Sequence, residues 1–202
     1  NADTWNLNAA VDNAGRMHVV YDARLGTRAK ELQQVVIDGD TATMQALTPD
    51  DGHDSLYPDI ALSGDRVALT WFDTRDGNEE VYLASGTLVD SLVERVAKAR
   101  RVTDTAGHSI GAYVAWNGQR LGLAWTDDTR GRADAYYQVF DAALVPEGAA
   151  RPLLQTRDTA SIPSIVPAGP GFAIAWNEYA QDPVAAAHGG IRTSKAMLAR
   201  VR

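Results

Sequence analysis

Three short turns carry an acid and a base at a common spacing: Asp22/Arg24, Asp73/Arg75 and Asp128/Arg130, with Gly26, Gly77 and Gly131 close behind. A cluster of such arginines would grip a planar carboxylate or phosphate, because the guanidinium fork matches that geometry. The same residues also make good turns, Asp accepting backbone N–H groups and Arg tying one repeat to its neighbour. Their near-identity favours the turn, since a catalytic constellation needs different residues in different roles. Asp73, Asp128 and Glu178 are nevertheless the carboxylates on which glycoside hydrolysis would have to draw. Such chemistry needs two carboxyl groups ~5–9.5 Å apart.

Histidine supplies the other candidates. His53 and His108 each fall just before the first strand of a repeat, in Gly52-His53-Asp54-Ser55 and Gly107-His108-Ser109. Alternate connections of an up-and-down sheet lie on the same side. His53, His108 and Tyr57 are therefore expected to gather with the Asp–Arg turns, Arg75 and Arg130 among them, at one channel mouth. His18 lies within a strand pattern and His188 in a Gly-flanked loop. Two histidines without a third ligand do not make a zinc site, so no metal is assigned. The stretch from Asp73 to Glu80, with Asp76, Asn78 and Glu79, offers oxygen ligands for Ca²⁺ but lacks the spacing of an established calcium loop. No cofactor is expected.

The elements that must position these groups recur at intervals of roughly 50 residues, the period of propeller blades. Clear copies run from Tyr57 to Gly77 and from Ala112 to Gly131, with a worn copy at 9–26 and another at 163–178. Each opens on a short alternating strand, such as Pro58 to Leu62 or Ala112 to Trp116. A tight turn follows, for example Ser63-Gly64-Asp65 or Asn117-Gly118-Gln119. The second strands (Met17–Tyr21, Val67–Phe72, Leu121–Trp125, Phe172–Trp176) are almost wholly apolar, as a strand buried on both faces requires. Trp71, Trp125 and Trp176 end three of them and are expected to pack between repeats. Third strands are expected near Leu32–Ile37, Glu80–Ser85, Ala135–Phe140 and Ala196–Val201. More polar outer strands are expected near Thr43–Leu47, Lys98–Thr103 and Arg151–Gln155, leaving the last repeat without a fourth strand. Leu88, Leu92, Val93 and Val96 come close to helical spacing. The corresponding stretch 143–148 contains Pro and Gly, however, and both are read as loops.

Composition narrows the function classes. A net charge of −7 and a pI near 5.0 argue against a nucleic-acid partner, which would call for a basic stripe. Cysteine is absent, which excludes disulfides, thiolate metal sites and thiol catalysis. No apolar run approaches the ~20 residues of a membrane span, so no membrane insertion is expected. Asn1-Ala2 reads as the remnant of a cleaved tag.

The run Trp71-Phe72-Asp73-Thr74-Arg75-Asp76-Gly77, followed by a strand through Val81-Tyr82 or, in the next copy, Tyr136-Tyr137, resembles the repeats of sialidase-like and related bacterial propellers. The resemblance spans about Trp5 to Trp176 and concerns blade architecture. The sialidase Asp-box Ser-x-Asp-x-Gly-x-x-Trp and the Arg-Ile-Pro segment are absent. The repeats themselves imply an all-β fold: a single domain over 1–202, a four-bladed β-propeller with repeats near 5–48, 57–103, 110–155 and 162–201, or a four-blade section of a larger ring closed by a second copy or further blades, where sialidases have six. The functional expectation is a non-catalytic binding module of an exported bacterial protein. It would take a protein or carbohydrate ligand on the channel-mouth loops and lie outside the cytoplasm. The alternatives are a glycoside hydrolase of sialidase-like type or a purely structural propeller domain. Function is sought where the copies differ: His53, His108, Tyr57 and the aberrant stretch from Glu178 to Thr193.

Overall fold

In the computed structural model, residues 3–24, 26, 29–88, 92–155, 158–180 and 194–202 are described. The chain forms four antiparallel sheets of consecutive strands. The first sheet is β1 (Asp3–Val11), β2 (Met17–Arg24), β3 (Glu31–Asp38) and β4 (Thr41–Ala46), in that order. The second is β5 (Ser55–Ser63), β6 (Arg66–Asp73), β7 (Glu80–Thr87) and β8 (Arg100–Arg101), with α1 (Leu92–Val96) between its last two strands. The third is β9 (Ser109–Trp116), β10 (Leu121–Asp127), β11 (Asp134–Phe140) and β12 (Arg151–Pro152). The fourth contains β13 (Thr159–Ala160), β14 (Ser164–Ala168), β15 (Gly171–Tyr179) and β16 (Ser194–Val201). Four successive four-stranded antiparallel sheets, the first three of them meanders, are consistent with a propeller-like fold. Contacts divide the chain into two compact units, 1–105 and 106–202, each holding two sheets.

Local chemistry explains the strands. The hairpin between β5 and β6 turns at Gly64 with φ 65°, and that between β9 and β10 at Gly118 with φ 90°. A side chain would strain both turns. Every residue of β10 is buried, and all of β6 beyond its first residue, matching their near-continuous apolar runs. β4 is exposed throughout, the expected state of a polar outer edge.

In the first unit one core joins both sheets: Val20, Leu32 and Leu47 pack with Ile60, Leu69, Trp71 and Tyr82. Trp71 is fully buried and stacks on Tyr82 with ring centroids 5.6 Å apart. In the second unit Ile165, Phe172, Ile174 and Trp176 pack with Val139 and Ala124. Trp125 stacks on Tyr136 at 6.1 Å.

The structure departs from the expected elements in three places. Residues 92–96 form the helix α1 instead of a loop, because Leu92 and Val96, one turn apart, both bury into the first unit's core. The outer strands β8 and β12 shrink to two residues each, since only Tyr82↔Arg101, Leu83↔Arg100 and Tyr136↔Pro152, Tyr137↔Arg151 pair. In the fourth sheet the first strand is broken. β13 and β14 pair with opposite ends of β15, while β16 runs along β15 from Phe172 to Tyr179. That sheet therefore has three strand positions. His188 and residues 181–193 of the aberrant stretch lie outside the described residues.

Candidate functional site

The second strand of each repeat carries at or near its end a carboxylate two residues beyond its buried Trp or, in the first, Val20: Asp22, Asp73, Asp127 and Glu178. All four are enclosed. Asp22 accepts the backbone N–H groups of Trp5 (3.1 Å), Asn6 (3.3 Å) and Tyr57 (3.0 Å), and the Asn6 side-chain amide (3.2 Å). Asp73 accepts the Ser55 hydroxyl at 2.9 Å, the Trp71 indole at 3.0 Å, and both the amide and the guanidinium of Arg75. Asp127 accepts the Ser109 hydroxyl at 2.8 Å and the Thr129 amide at 3.0 Å. Glu178 accepts the Trp176 indole at 3.2 Å.

Asp127, then, is the counterpart of Asp73, and the sequence pairing of Asp128 with Arg130 is one residue out of register. The two turns have equal length, Asp73 pairing with Glu80 as Asp127 pairs with Asp134, so Thr129 stands in the place of Arg75 and Arg130 in that of Asp76, and the Arg130 guanidinium meets Asp134 at 3.0 Å. Asp128 instead accepts the His108 amide at 2.7 Å. Burial works to raise the Asp73 carboxyl, but the Arg75 guanidinium and the Trp71 indole outweigh it and hold Asp73 below the ordinary carboxylate range.

Within each unit the loop entering a first strand does meet the turn joining strands two and three. Asp54 and Thr74 exchange bonds at 2.8 and 3.0 Å. In the second unit the Gly107 amide donates to Thr129 Oγ1 at 3.1 Å, and the Asp128 amide to the His108 carbonyl at 3.2 Å. Gly107 permits this approach: a Cβ there would stand 2.4 Å from the Thr129 nitrogen and 2.5 Å from Asp128 Oδ1. His53 and His108 are both exposed on these loops, and Asp128 is half-buried. Tyr57 has φ 55° at a bulge in β5 and stacks on Phe72 at 5.4 Å. That backbone conformation is costly for a residue with a Cβ. It aims the Tyr57 amide at Asp22.

The oxygen-rich turn considered for Ca²⁺ is tied to protein groups. Asp76 accepts the Tyr82 hydroxyl, and Asn78 donates to the Thr105 carbonyl at 3.1 Å. Among the described residues no group of three or more His, Asp or Glu side chains could hold a metal ion.

Sequence reasoning missed a second set of buried carboxylates, at the starts of third strands: Glu31, Glu80 and Asp134. Glu31 and Glu80 share a device. A threonine after the outer strand takes the next backbone N–H (Leu32 to Thr48 at 2.9 Å, Val81 to Thr103 at 2.8 Å) and gives its hydroxyl proton to the glutamate. The signal was present as Glu-aliphatic followed, beyond the outer strand, by Leu47-Thr48 or Val102-Thr103. The variable intervening length hid it. Burial pushes the Glu31 carboxyl up to about 7, against the Thr48 hydrogen bond, and Asp51, Asp50 and Asp73 push it in the same direction as burial.

No family model matches the chain, and no curated protein does. Solved structures do. A GH43 endo-arabinanase from Bacillus licheniformis is 12% identical with a TM-score of 0.55, covering 98% of this chain and 73% of that one. A thermostable family-43 glycoside hydrolase is 12% identical with a TM-score of 0.63, covering 98% and 71%. Trypanosoma rangeli sialidase is 10% identical with a TM-score of 0.58, covering 88% of this chain and 36% of that one. At such identity the likeness is one of fold. It corrects the expectation of a non-catalytic binding module, because the solved folds that this chain resembles are those of glycoside hydrolases.

Proposed function

We propose that this chain is a glycoside hydrolase module whose four sheets are four propeller blades, acting outside the cytoplasm on a polymeric glycan, with arabinan the first substrate to test. The observation that carries this reading is the likeness of nearly the whole chain to arabinanases, backed by the likeness to sialidases. A fold alone does not name a reaction, so the residues must supply the rest.

Of the three carboxylates singled out by sequence, Asp128 alone has an exposed flank; Asp73 and Glu178 are enclosed by their hydrogen bonds. Asp128 is the group with access to a sugar, held in place by the His108 amide and flanked by the exposed His108 and Arg130. Asp73, Asp127 and Glu178 act as positioning residues that set the strand ends carrying the turns. His53, Tyr57 and Arg75 belong to the matching loop face of the first unit.

Turnover of linear arabinan, a chromogenic α-L-arabinofuranoside and a chromogenic sialoside tests the proposal. One of them should be hydrolysed, and Asp128→Asn should abolish that turnover without altering the urea midpoint. Absence of turnover on all three, or full activity in Asp128→Asn, would overturn it.

A further inference from the structure

Arginines of this acidic chain recur beside acids. Arg16 meets Asp12 at 2.8 Å, Arg101 meets Glu80 at 3.0 Å and Arg130 meets Asp134 at 3.0 Å. Arg120 is matched in the same way. Its Nε donates to Glu147 at 3.0 Å, its Nη2 to the other Glu147 oxygen, and its Nη1 to the Pro170 carbonyl at 3.1 Å. Arg151 and Arg202 depart from this pattern: among the described residues neither guanidinium has an acid or a hydrogen-bond acceptor.

Both line one cavity of about 90 Å³, together with Arg120, Glu147 and Tyr137. Its walls are held by built elements. Arg151 begins β12 and pairs with Tyr137 of β11. The loop between those strands is pinned by the Glu147 amide on the Val139 carbonyl at 2.8 Å and by the Gln138 side-chain amide on the Gly148 carbonyl at 2.9 Å. Arg202 follows β16, and Gly171 lets that end of the chain close in, since a Cβ there would stand 2.0 Å from the Val201 carbonyl oxygen. The volume is that of about three waters at about 30 Å³ each, room for one small ion and too little for a sugar ring.

Three guanidinium groups thus face one carboxylate, and Glu147 is spent on Arg120. Arg151 and Arg202 leave the cavity in excess of positive charge, on a chain whose net charge is −7. Like charges gathered in one cavity repel unless an anion lies between them. We propose that this cavity binds a doubly charged tetrahedral oxyanion, phosphate or sulfate, free or as a terminal monoester, gripped by the guanidinium forks of Arg151 and Arg202. Such an ion supplies the two negative charges that the protein does not provide there. Arg120, fixed on Glu147, forms the wall behind it. The site lies at the other end of the third sheet from Asp128: Arg120 precedes β10 and Asp128 follows it, which separates them by roughly 20 Å or more of strand. It is independent of the hydrolase reading, since none of these groups is assigned to glycan cleavage.

The probes are inorganic phosphate and sulfate, titrated calorimetrically into the whole chain at pH 8, where phosphate is doubly charged, with acetate as the singly charged planar control. Saturable binding of at least one tetrahedral anion is expected, with acetate about tenfold or more weaker. Arg151→Gln and Arg202→Gln should each weaken binding by about tenfold or more. Both side chains are exposed, so the fold should stand, and an unchanged melting temperature without anion checks it. Lys98→Gln removes an exposed charge from the first unit and should leave binding as it was. Methyl phosphate separates the two sources: binding as tight as that of phosphate assigns a monoester, and exclusion of the ester assigns the free ion. Failure of both tetrahedral anions to bind, equal binding of acetate, binding unchanged in Arg151→Gln and Arg202→Gln, or an equal loss in Lys98→Gln would each overturn the proposal.

Discussion

The Tyr57 amide donates to Asp22 at 3.0 Å, joining the bulge near the start of the second sheet to a carboxylate near the end of β2 in the first. Asp22 is fully buried and takes three further N–H donors from Trp5 and Asn6. Removing the acceptor strands several donors at once. Asp22→Ala is expected to cost about 2–4 kcal/mol. Asp22→Asn should cost less, because one oxygen still accepts. Urea melts of the two variants check this; equal, sub-kilocalorie losses would mean that the tie between the sheets carries little.

Trp71 fills the first unit's core, stacks on Tyr82 and donates its indole proton to Asp73. Trp71→Ala should lose about 3–5 kcal/mol through the cavity it leaves. Trp71→Phe keeps most of the volume and isolates the indole hydrogen bond, with an expected loss of about 1–2 kcal/mol. A denaturant series on both variants separates packing from polar contact.

Arg75 and Arg130 look equivalent in sequence but should behave differently. Arg75 grips Asp73 through two guanidinium nitrogens and lies 4.7 Å over the Tyr82 ring. Arg130 makes a single contact to Asp134, which Arg132 also approaches at 3.3 Å. Arg75→Ala is expected to destabilise by about 2–3 kcal/mol, discounted for its partial exposure, and Arg130→Ala by less than about 1. The difference between their urea midpoints is the measurement.

Glu31 makes stability fall with rising pH. Its carboxyl is held at about 7 in the fold against an ordinary 4.5, so between those values the folded chain binds more protons than the unfolded one. The burden is absent below about pH 4.5, grows through the window and is complete above about pH 7, on the order of 2–3 kcal/mol. Glu31→Gln should flatten this slope. Melts at pH 5 and pH 7.5 for both proteins test it; a slope unchanged in Glu31→Gln would assign the effect to another group.

Much of the fold was legible in the residues themselves. The alternation of β5, the continuous apolar run of β6 and the turn residues around Gly64 and Gly118 are properties of neighbouring residues, and they specify strands and hairpins without reference to anything distant. The same local logic located the buried tryptophans and the meeting of the loop at His108 with the turn at Asp128. It failed for α1, where a near-helical spacing became a helix only because Leu92 and Val96 found a core to enter.

What the sequence by itself determined is the repeat: four sheets' worth of strands, their turns and their buried aromatic residues. The tertiary structure alone decided which carboxylate has which partner. Asp127, not Asp128, is the strand-end acid because the register pairs Asp127 with Asp134 as it pairs Asp73 with Glu80, which leaves Asp128 in the turn at the place of Thr74. Glu80 takes the Arg101 guanidinium at 3.0 Å while Glu31 Oε1 has no partner among the described residues, because Arg101 falls opposite Tyr82 and Ala46 opposite the equivalent Gln33. Strand periodicity depends on adjacent residues, whereas these partners lie some 20 residues away in sequence and meet only once the register is set.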